Sequence, residues 1–143
     1  FHAPAIVSSR SMHTQLMAEP ALKMHFDLIK SCGTIVFSVG NLDGSTKFAD
    51  ADHISSSTAK EYYNSGAVGL ALGRFVGANG NDVQGELTGR MIGLSLDDLQ
   101  KAPTRICIAG GVEKITILKA ILKKGYATHL VTDSSTVRGL LEE

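Results

Sequence analysis

RICIAGGVEKITILKAILKKGYATHLVTD, residues 105–133, is the stretch that decides the fold. An apolar run at 105–109 ends in two glycines, and apolar residues at helical spacing follow at once over 112–124. Gly125 closes this helix, and a second apolar run begins at Thr128. Strand, helix and strand in this order predict a βαβ unit, in which two parallel strands are joined by a right-handed crossover. Asp133 is then expected to be the N-cap of a last helix rather than a catalytic acid.

The rest of the chain predicts further helices and strands on either side of glycine and serine signals. Helices are expected at 10–17, 20–31 and 55–65 and from Ser95 onward, strands at 34–40, 67–76 and 89–94, and a loop at 41–54. The apolar face of the helix at 112–124 is expected to consist of Ile115, Leu118, Ile121 and Leu122. The predicted class is α/β, with an open, mostly parallel sheet and flanking helices.

Composition excludes several classes of protein. The chain has 143 residues, 43% of them hydrophobic and 20% charged, which argues against disorder. Fourteen basic residues balance fourteen acidic ones, so nucleic-acid binding has no electrostatic support in this segment. No apolar run approaches the roughly 20 residues of a membrane span, and no signal peptide is visible. The chain begins at Phe1 without an initiator methionine, which fits a piece of a longer protein.

Both cysteines lie in apolar surroundings in the sequence. We interpret Cys32 and Cys107 as reduced core thiols, which suits a cytoplasmic location, although a disulfide between them stays open at this stage.

The carboxyl ends of parallel strands are where ligands bind in open α/β sheets. The turn after residue 109 is the best candidate for an anion, because Gly110 and Gly111 permit close backbone approach and leave amide groups free. Lys114 adds a full charge there. A cation in the first turn of a helix is unfavourable by about 0.3–1 kcal/mol, so either an anion belongs at this place or the lysine points into water and pairs with a neighbour. The pattern alone leaves both possibilities open.

The sequence offers little support for a nucleotide site, a metal site or a catalytic centre. The GxxxxGK[ST] and GxGxxG patterns are absent, so no nucleotide cofactor is expected. The five histidines have no ligand-like spacing with cysteines or carboxylates, so no metal site is expected. Asp97 and Asp98 are interpreted as helix-start acids, and Cys107 as a packing residue.

Five blocks follow one another in an order that resembles a known family. They are HAPAIVSS at 2–9, GAVGLALGRFVGANGN at 66–81, RMIGLSLDDLQK at 90–101, RICIAGGVEKITILKAILKKGY at 105–126 and HLVTDSSTVRGLLE at 129–142. Together they resemble the sugar-binding (effector) domain of SorC-type bacterial transcriptional regulators. The resemblance covers the C-terminal portion of that domain, so residues 1–143 would lack its first part and the DNA-binding helix-turn-helix.

The resemblance implies a fold similar to ribose-5-phosphate isomerase and glucosamine-6-phosphate deaminase. It also implies a phosphorylated sugar or related metabolite as ligand, with no cofactor. Ligand binding would change the packing of a homo-oligomer, a dimer or tetramer, and so the affinity of the missing helix-turn-helix for DNA. Two alternatives remain: a sugar-phosphate isomerase or deaminase-like enzyme, and an oligomerisation module that binds no ligand.

The strand ends and the resemblance together give a set of candidate ligand-binding residues: Lys114, Gly111, Gly110, Gly40, Asn41, Gly69 and Leu70. Lys114 would contact the ligand, Gly40 would line the pocket, and the segment ending at Gly69 would reach the sugar. The family commonly carries an acidic residue at the position of Leu70, where it can bind sugar hydroxyls. Because leucine cannot accept those hydrogen bonds, we expect either a ligand with fewer hydroxyls on that side or weak binding.

Overall fold

A computed structural model describes residues 3–42 and 54–142 of the chain. The helices are α1 (Arg10–Ala18), α2 (Pro20–Lys30), α3 (Ser56–Asn64), α4 (Leu96–Lys101), α5 (Ile115–Lys123) and α6 (Ser134–Leu141). The strands are β1 (Thr34–Phe37), β2 (Val39–Asn41), β3 (Ala67–Ala71), β4 (Arg74–Gly77), β5 (Thr104–Ile108) and β6 (His129–Val131). The loop expected at 41–54 lies, apart from its ends, outside the described residues. Among the described helices, none combines the length and apolar character that a membrane crossing requires.

The predicted βαβ unit is present and forms part of a parallel sheet. The strand order is β1-β5-β6, and both neighbours of β5 run parallel to it. Cys107 on β5 stands in register with Phe37 on β1 and Leu130 on β6. The α/β class with a helix-flanked parallel sheet is thereby confirmed.

Helix α5 is the centre of the larger hydrophobic core. Its buried residues are Ile117, Leu118, Ala120 and Ile121, and they pack with residues of both sheets and of α4. The predicted apolar face was partly wrong, because Leu122 is 38% exposed. A helix turns about 100° per residue, so a face centred on Ile117 and Ile121 carries Leu122 round to its edge.

The run at 34–40 was predicted as one buried strand, but it divides between two sheets. β1 joins the parallel sheet, whereas β2 pairs antiparallel with β3, with Gly40 opposite Leu70. Ser38 is the residue between them. A second three-stranded sheet, β2-β3-β4, therefore stands beside the parallel one, and it is antiparallel.

The predicted strand at 67–76 is in fact a hairpin. Leu72 and Gly73 form its turn, and both have positive φ, 53° and 75°. Positive φ at two successive positions is the signature of a type I′ hairpin turn. Glycine suits such a turn, but a leucine there is uncommon and strained. The sequence signal was missed because Leu-Gly is not one of the usual turn pairs.

The strand predicted at 89–94 is also wrong. This segment forms turns, with an isolated bridge between Met91 and Ile6. The guanidinium of Arg74 donates hydrogen bonds to the carbonyl oxygens of Met91, Gly93 and Leu94 at 3.3, 3.1 and 3.2 Å. A partly buried arginine thus satisfies backbone acceptors that a neighbouring strand would otherwise satisfy.

One face of the parallel sheet is apolar and uncovered within the described chain. Phe37 and Cys107 point to the inner face, towards α5. Val36, Ile108 and Val131 lie on the opposite face and are 58%, 48% and 53% exposed. Parallel sheets are normally covered on both faces, so this surface lacks the layer that usually accompanies it.

The two cysteines occupy opposite environments, which corrects the expectation of two core thiols. Both are free; Cys107 is fully buried, but Cys32 is exposed at the end of α2. We expect a thiol reagent such as DTNB to titrate one thiol per chain under native conditions and two after unfolding. In Cys32→Ser the native titration should fall to zero. Two fast-reacting thiols in the folded protein would contradict the buried position of Cys107.

Candidate functional site

A cleft lies at the carboxyl ends of β5 and β6, where the sequence predicted an anion site. We call it the Lys114 cleft; its volume is about 460 Å³, and its lining residues are Ser38, Ile108, Ala109, Gly110, Lys114, Val131, Thr132 and Asp133. The βαβ crossover places these strand ends and the start of α5 side by side. The cleft therefore combines a cation, a glycine turn and a polar strand end in the usual ligand position of an α/β sheet.

Lys114 stands at the N-terminus of α5 and is half-buried. Residues 112–114 form one 3₁₀ turn, and Lys114 is the N-cap of the α-helix, with no side chain capping the first amide groups. Within the described residues its ammonium has neither an ion pair nor a hydrogen bond. A cation beside the positive end of a helix dipole is unfavourable without an anion.

Cys107 lies behind this cleft, and its thiol carries no charge at neutral pH. Burial raises the pKa of its thiol to about 11, although the charge of Lys114 acts in the opposite direction. The thiol is therefore neutral at neutral pH, which suits a packing residue and not a nucleophile.

The Gly110–Gly111 turn is fixed from inside the protein. The amide of Gly111 donates to Asp133 Oδ2 at 3.0 Å and to Thr136 Oγ1 at 2.8 Å. The expectation that this amide is free for a ligand is therefore wrong. A Cβ at Gly110 would overlap the Asp133 carboxylate, so only glycine allows this close approach.

Asp133 is the N-cap of α6, as the sequence predicted. Its Oδ1 accepts the amide of Thr136 at 2.8 Å, and the hydroxyls of Ser135 and Thr136 also donate to this carboxylate. Hydrogen bonds from Ser135, then from Thr136 and the Gly111 amide, hold the pKa of Asp133 well below its usual range. The carboxylate thus ties the start of α6 to the glycine turn.

We expect Asp133→Asn to lower the melting temperature at pH 7, because an uncharged amide is a weaker acceptor for these donors. The folded-state pKa of Asp133 is depressed, so its contribution to stability is present above about pH 4 and is lost as the pH falls through the folded-state value. The difference in melting temperature between wild type and variant, followed by circular dichroism, should be largest near pH 7 and should shrink steadily as the pH is lowered below about 4. A difference that is constant across this range would contradict the role of the charge.

Thr132 adds a polar atom that the protein does not satisfy. It lines the Lys114 cleft, and its buried Oγ1 has no hydrogen-bond partner in the described part of the chain. A buried unpaired hydroxyl is costly. Sequence reasoning missed Thr132 and Ser38 as lining residues, because single hydroxyl residues at strand ends carry no distinguishing pattern.

A second cavity adjoins the first through Ser38, which lines both. We call it the Leu70 pocket; its volume is about 430 Å³, and it is lined by Ala5, Ile6, Ser38, Val39, Gly40, Ile54, Leu70, Leu72, Gly73, Met91 and Ile92. Two predicted residues, Gly40 and Leu70, lie here. Leu70 is only 5% exposed and belongs to the smaller core, with Phe75 and Met91.

The other two predicted residues lie elsewhere. Asn41 lines a third depression together with Glu113. Gly69 is buried, and a Cβ there would overlap the carbonyl oxygen of Gly40 and lie 2.7 Å from Ile117 Cγ1. The predicted set is thus divided between the Lys114 cleft, the Leu70 pocket, a third depression and a packing position.

The described residues of these cavities offer few side chains for metal binding or acid–base chemistry. Residues 3–42 and 54–142 hold no group of His, Cys, Asp and Glu side chains arranged for a metal ion. Among the described residues that line the Lys114 cleft and the Leu70 pocket, Asp133 is the one carboxylate, and its oxygens already accept several hydrogen bonds.

Comparisons with known proteins match this chain to a sugar-binding domain and to bacterial transcriptional regulators. The family model described as "Putative sugar-binding domain" matches residues 1–142. The transcriptional regulator YjhU of Escherichia coli K12 is 32% identical over 140 residues, which cover 98% of this chain and 43% of YjhU. The transcriptional regulator LsrR of Klebsiella pneumoniae is 30% identical over 142 residues, which cover 97% of this chain and 44% of LsrR.

A solved structure shares the fold closely. The DeoR family transcriptional regulator from Listeria monocytogenes superposes with a TM-score of 0.91 at 26% identity, over 98% of this chain and 57% of that one. The chain therefore spans about half the length of the proteins that it matches.

Proposed function

The chain belongs to the sugar-binding domain family of SorC/DeoR-type bacterial transcriptional regulators, and from this premise we propose that it senses a phosphorylated sugar or related metabolite in the Lys114 cleft. The observation that carries the proposal is Lys114, a half-buried residue at the start of α5 whose ammonium lacks an anionic partner in the described chain. A phosphate is the anion that a lysine and a helix N-terminus commonly bind together.

The cleft offers further support for an anionic ligand. The amides of Lys114 and Ile115 at the start of α5 already donate to the carbonyl oxygens of Gly111 and Val112, so the charge of Lys114, and not these amides, would attract the phosphate. The buried hydroxyl of Thr132 lacks a partner, a cost that a bound ligand can remove. We propose that Lys114 and Gly110 contact the phosphate and that Gly40 and Leu70 border the body of the ligand.

The remaining predicted residues have a different role in this proposal. Gly111 and Gly69 keep neighbouring backbone and side chains close together, and Asn41 lies outside both cavities that share Ser38. Asp133 holds the glycine turn in place and does not act as a general base, because its oxygens are occupied. We therefore propose binding without turnover, in keeping with relatives that are named as transcriptional regulators.

The whole protein, in this proposal, is a cytoplasmic homo-oligomer, a dimer or tetramer, that binds DNA through a helix-turn-helix outside this chain. The effector would alter oligomer packing and so the affinity for DNA. The uncovered apolar face at Val36, Ile108 and Val131 would pack against the remaining part of the effector domain. The partial coverage of the matched regulators supports this division.

Isothermal calorimetry with a panel of phosphate monoesters tests the proposal. The panel would include ribose 5-phosphate, glucosamine 6-phosphate and alkyl phosphates, with the unphosphorylated ribose and glucosamine as controls. We expect at least one monoester to bind and its unphosphorylated parent not to bind. Incubation with ribose 5-phosphate and glucosamine 6-phosphate should yield no isomerised or deaminated product. If no monoester binds, or if product accumulates, the proposed function is wrong.

A further inference from the structure

The Leu70 pocket is apolar to a degree that does not suit a sugar. Of the described residues that line it, Ser38 is the one with a polar side chain, and none carries a carboxylate or an amide side chain. Building on the proposed function, we infer that the effector is a phosphate monoester whose body is largely apolar, a cyclic or branched alkyl group with few hydroxyls. The phosphate binds at Lys114, and the apolar body fills the Leu70 pocket.

The energetics of hydroxyl burial lead to this assignment. A sugar hydroxyl that enters the pocket exchanges its hydrogen bonds to water for contacts with Leu70, Ile54 and Met91. The backbone of Gly40 and Leu70 offers little compensation, because these residues pair with each other in the β2–β3 ladder. A buried hydroxyl without a partner is strongly unfavourable, whereas a methylene group in the same place is favourable.

Leu72 extends the apolar wall of this pocket. It occupies a positive-φ position, at 53°, where glycine or asparagine would be at lower cost. Its side chain nevertheless lines the pocket beside Leu70. Leu72 also packs against the larger hydrophobic core, and such packing holds a strained backbone in place. Its side chain is therefore an apolar part of the pocket wall that the fold itself supports.

The two cavities share one lining residue, Ser38. The inference places one small ligand across this residue, with its phosphate at Lys114 and its body in the Leu70 pocket. The pocket volume of about 430 Å³ lies within the range of small-molecule sites. It accommodates a five- or six-carbon body.

A matched pair of ligands tests the inference on the unmodified protein. Cyclopentylmethyl phosphate has the five-membered ring and phosphate arm of ribose 5-phosphate but lacks its hydroxyls. We expect calorimetry to give cyclopentylmethyl phosphate a Kd at least about tenfold lower than that of ribose 5-phosphate, since each stranded hydroxyl is unfavourable. If ribose 5-phosphate binds as well or better, the inference is wrong and the proposed function stands. If neither these nor the other monoesters bind, the proposed function itself fails, and the inference with it.

Leu72→Asn tests the pocket wall without endangering the fold. Asparagine tolerates positive φ better than leucine, which offsets part of the packing that Leu72 makes with the larger core, so the melting temperature of this variant should fall only slightly. Its Kd for cyclopentylmethyl phosphate should rise about fivefold or more, and its Kd for ribose 5-phosphate should not rise. Leu28→Asn, at an exposed leucine of α2 away from both cavities, is the matched control and should change neither value. An unchanged Kd for the alkyl phosphate in Leu72→Asn would overturn the assignment of this wall.

Discussion

Gly69→Ala is expected to destabilise the fold strongly. The new methyl group would overlap the carbonyl oxygen of Gly40 and lie 2.7 and 2.8 Å from Cγ1 and Cβ of Ile117. Neither neighbour can retreat, because Gly40 is held in the β2–β3 ladder and Ile117 is fully buried in α5. Overpacking of a core costs about 1–3 kcal/mol, and a clash with backbone belongs at or above the upper end. Domains have only about 5–15 kcal/mol of stability in total, so the midpoint of urea unfolding should fall sharply.

Gly33→Ala is the matched control for this prediction. An added Cβ at Gly33 meets no atom within 4 Å, and its backbone has no positive φ. The free energy of unfolding of Gly33→Ala should stay within about 0.5 kcal/mol of that of the wild type. The comparison also separates two roles of Gly69. A Gly69→Ala chain that folds normally but loses its ligand would establish the ligand contact that the family resemblance implied, and would contradict the packing role.

The parallel sheet was predictable because its signals are local. In residues 105–133 the apolar strands, the closing glycine and the helical spacing follow one another without interruption, and each element constrains the next. The division at Ser38 was not predictable in the same way. Whether β1 and β2 join one sheet or two depends on their partners β5 and β3, which are distant in sequence. The hairpin was missed for a related reason, since the strain at Leu72 is compensated by its surroundings in space.

The candidate site, too, was predictable only where its signals are local in sequence. Lys114 stood out because a lysine at a helix start conflicts with a local rule, and such conflicts concentrate at functional sites. The hydrogen bonds of the Gly111 amide could not be deduced from the sequence, because its acceptors Asp133 and Thr136 come from the next βα connection. Asp133 was predicted as a cap, but its second task of holding the glycine turn depends on that same approach in space.

Lys114→Ala is expected to have the largest effect on ligand binding. A charge-assisted contact with a phosphate lost from a half-buried cleft costs about 2–4 kcal/mol, or roughly 30- to 1,000-fold in Kd. The ligand-free chain should respond in the opposite direction. Removal of an unpaired cation from a helix N-terminus should raise its free energy of unfolding by about 0.3–1 kcal/mol. Calorimetry with the tightest monoester and urea unfolding without ligand measure the two effects.

The opposite signs distinguish a ligand contact from a structural lysine. Lys123→Ala, at the other end of α5, removes the same charge where the helix dipole favours it. This control should keep the Kd of the wild type and lose a little stability. A Lys114→Ala chain that is less stable than the wild type and binds the monoester equally well would show that the ammonium supports the fold. The apparent absence of a partner for Lys114 would then have to be explained by residues outside the cleft, and the phosphate would have to bind elsewhere.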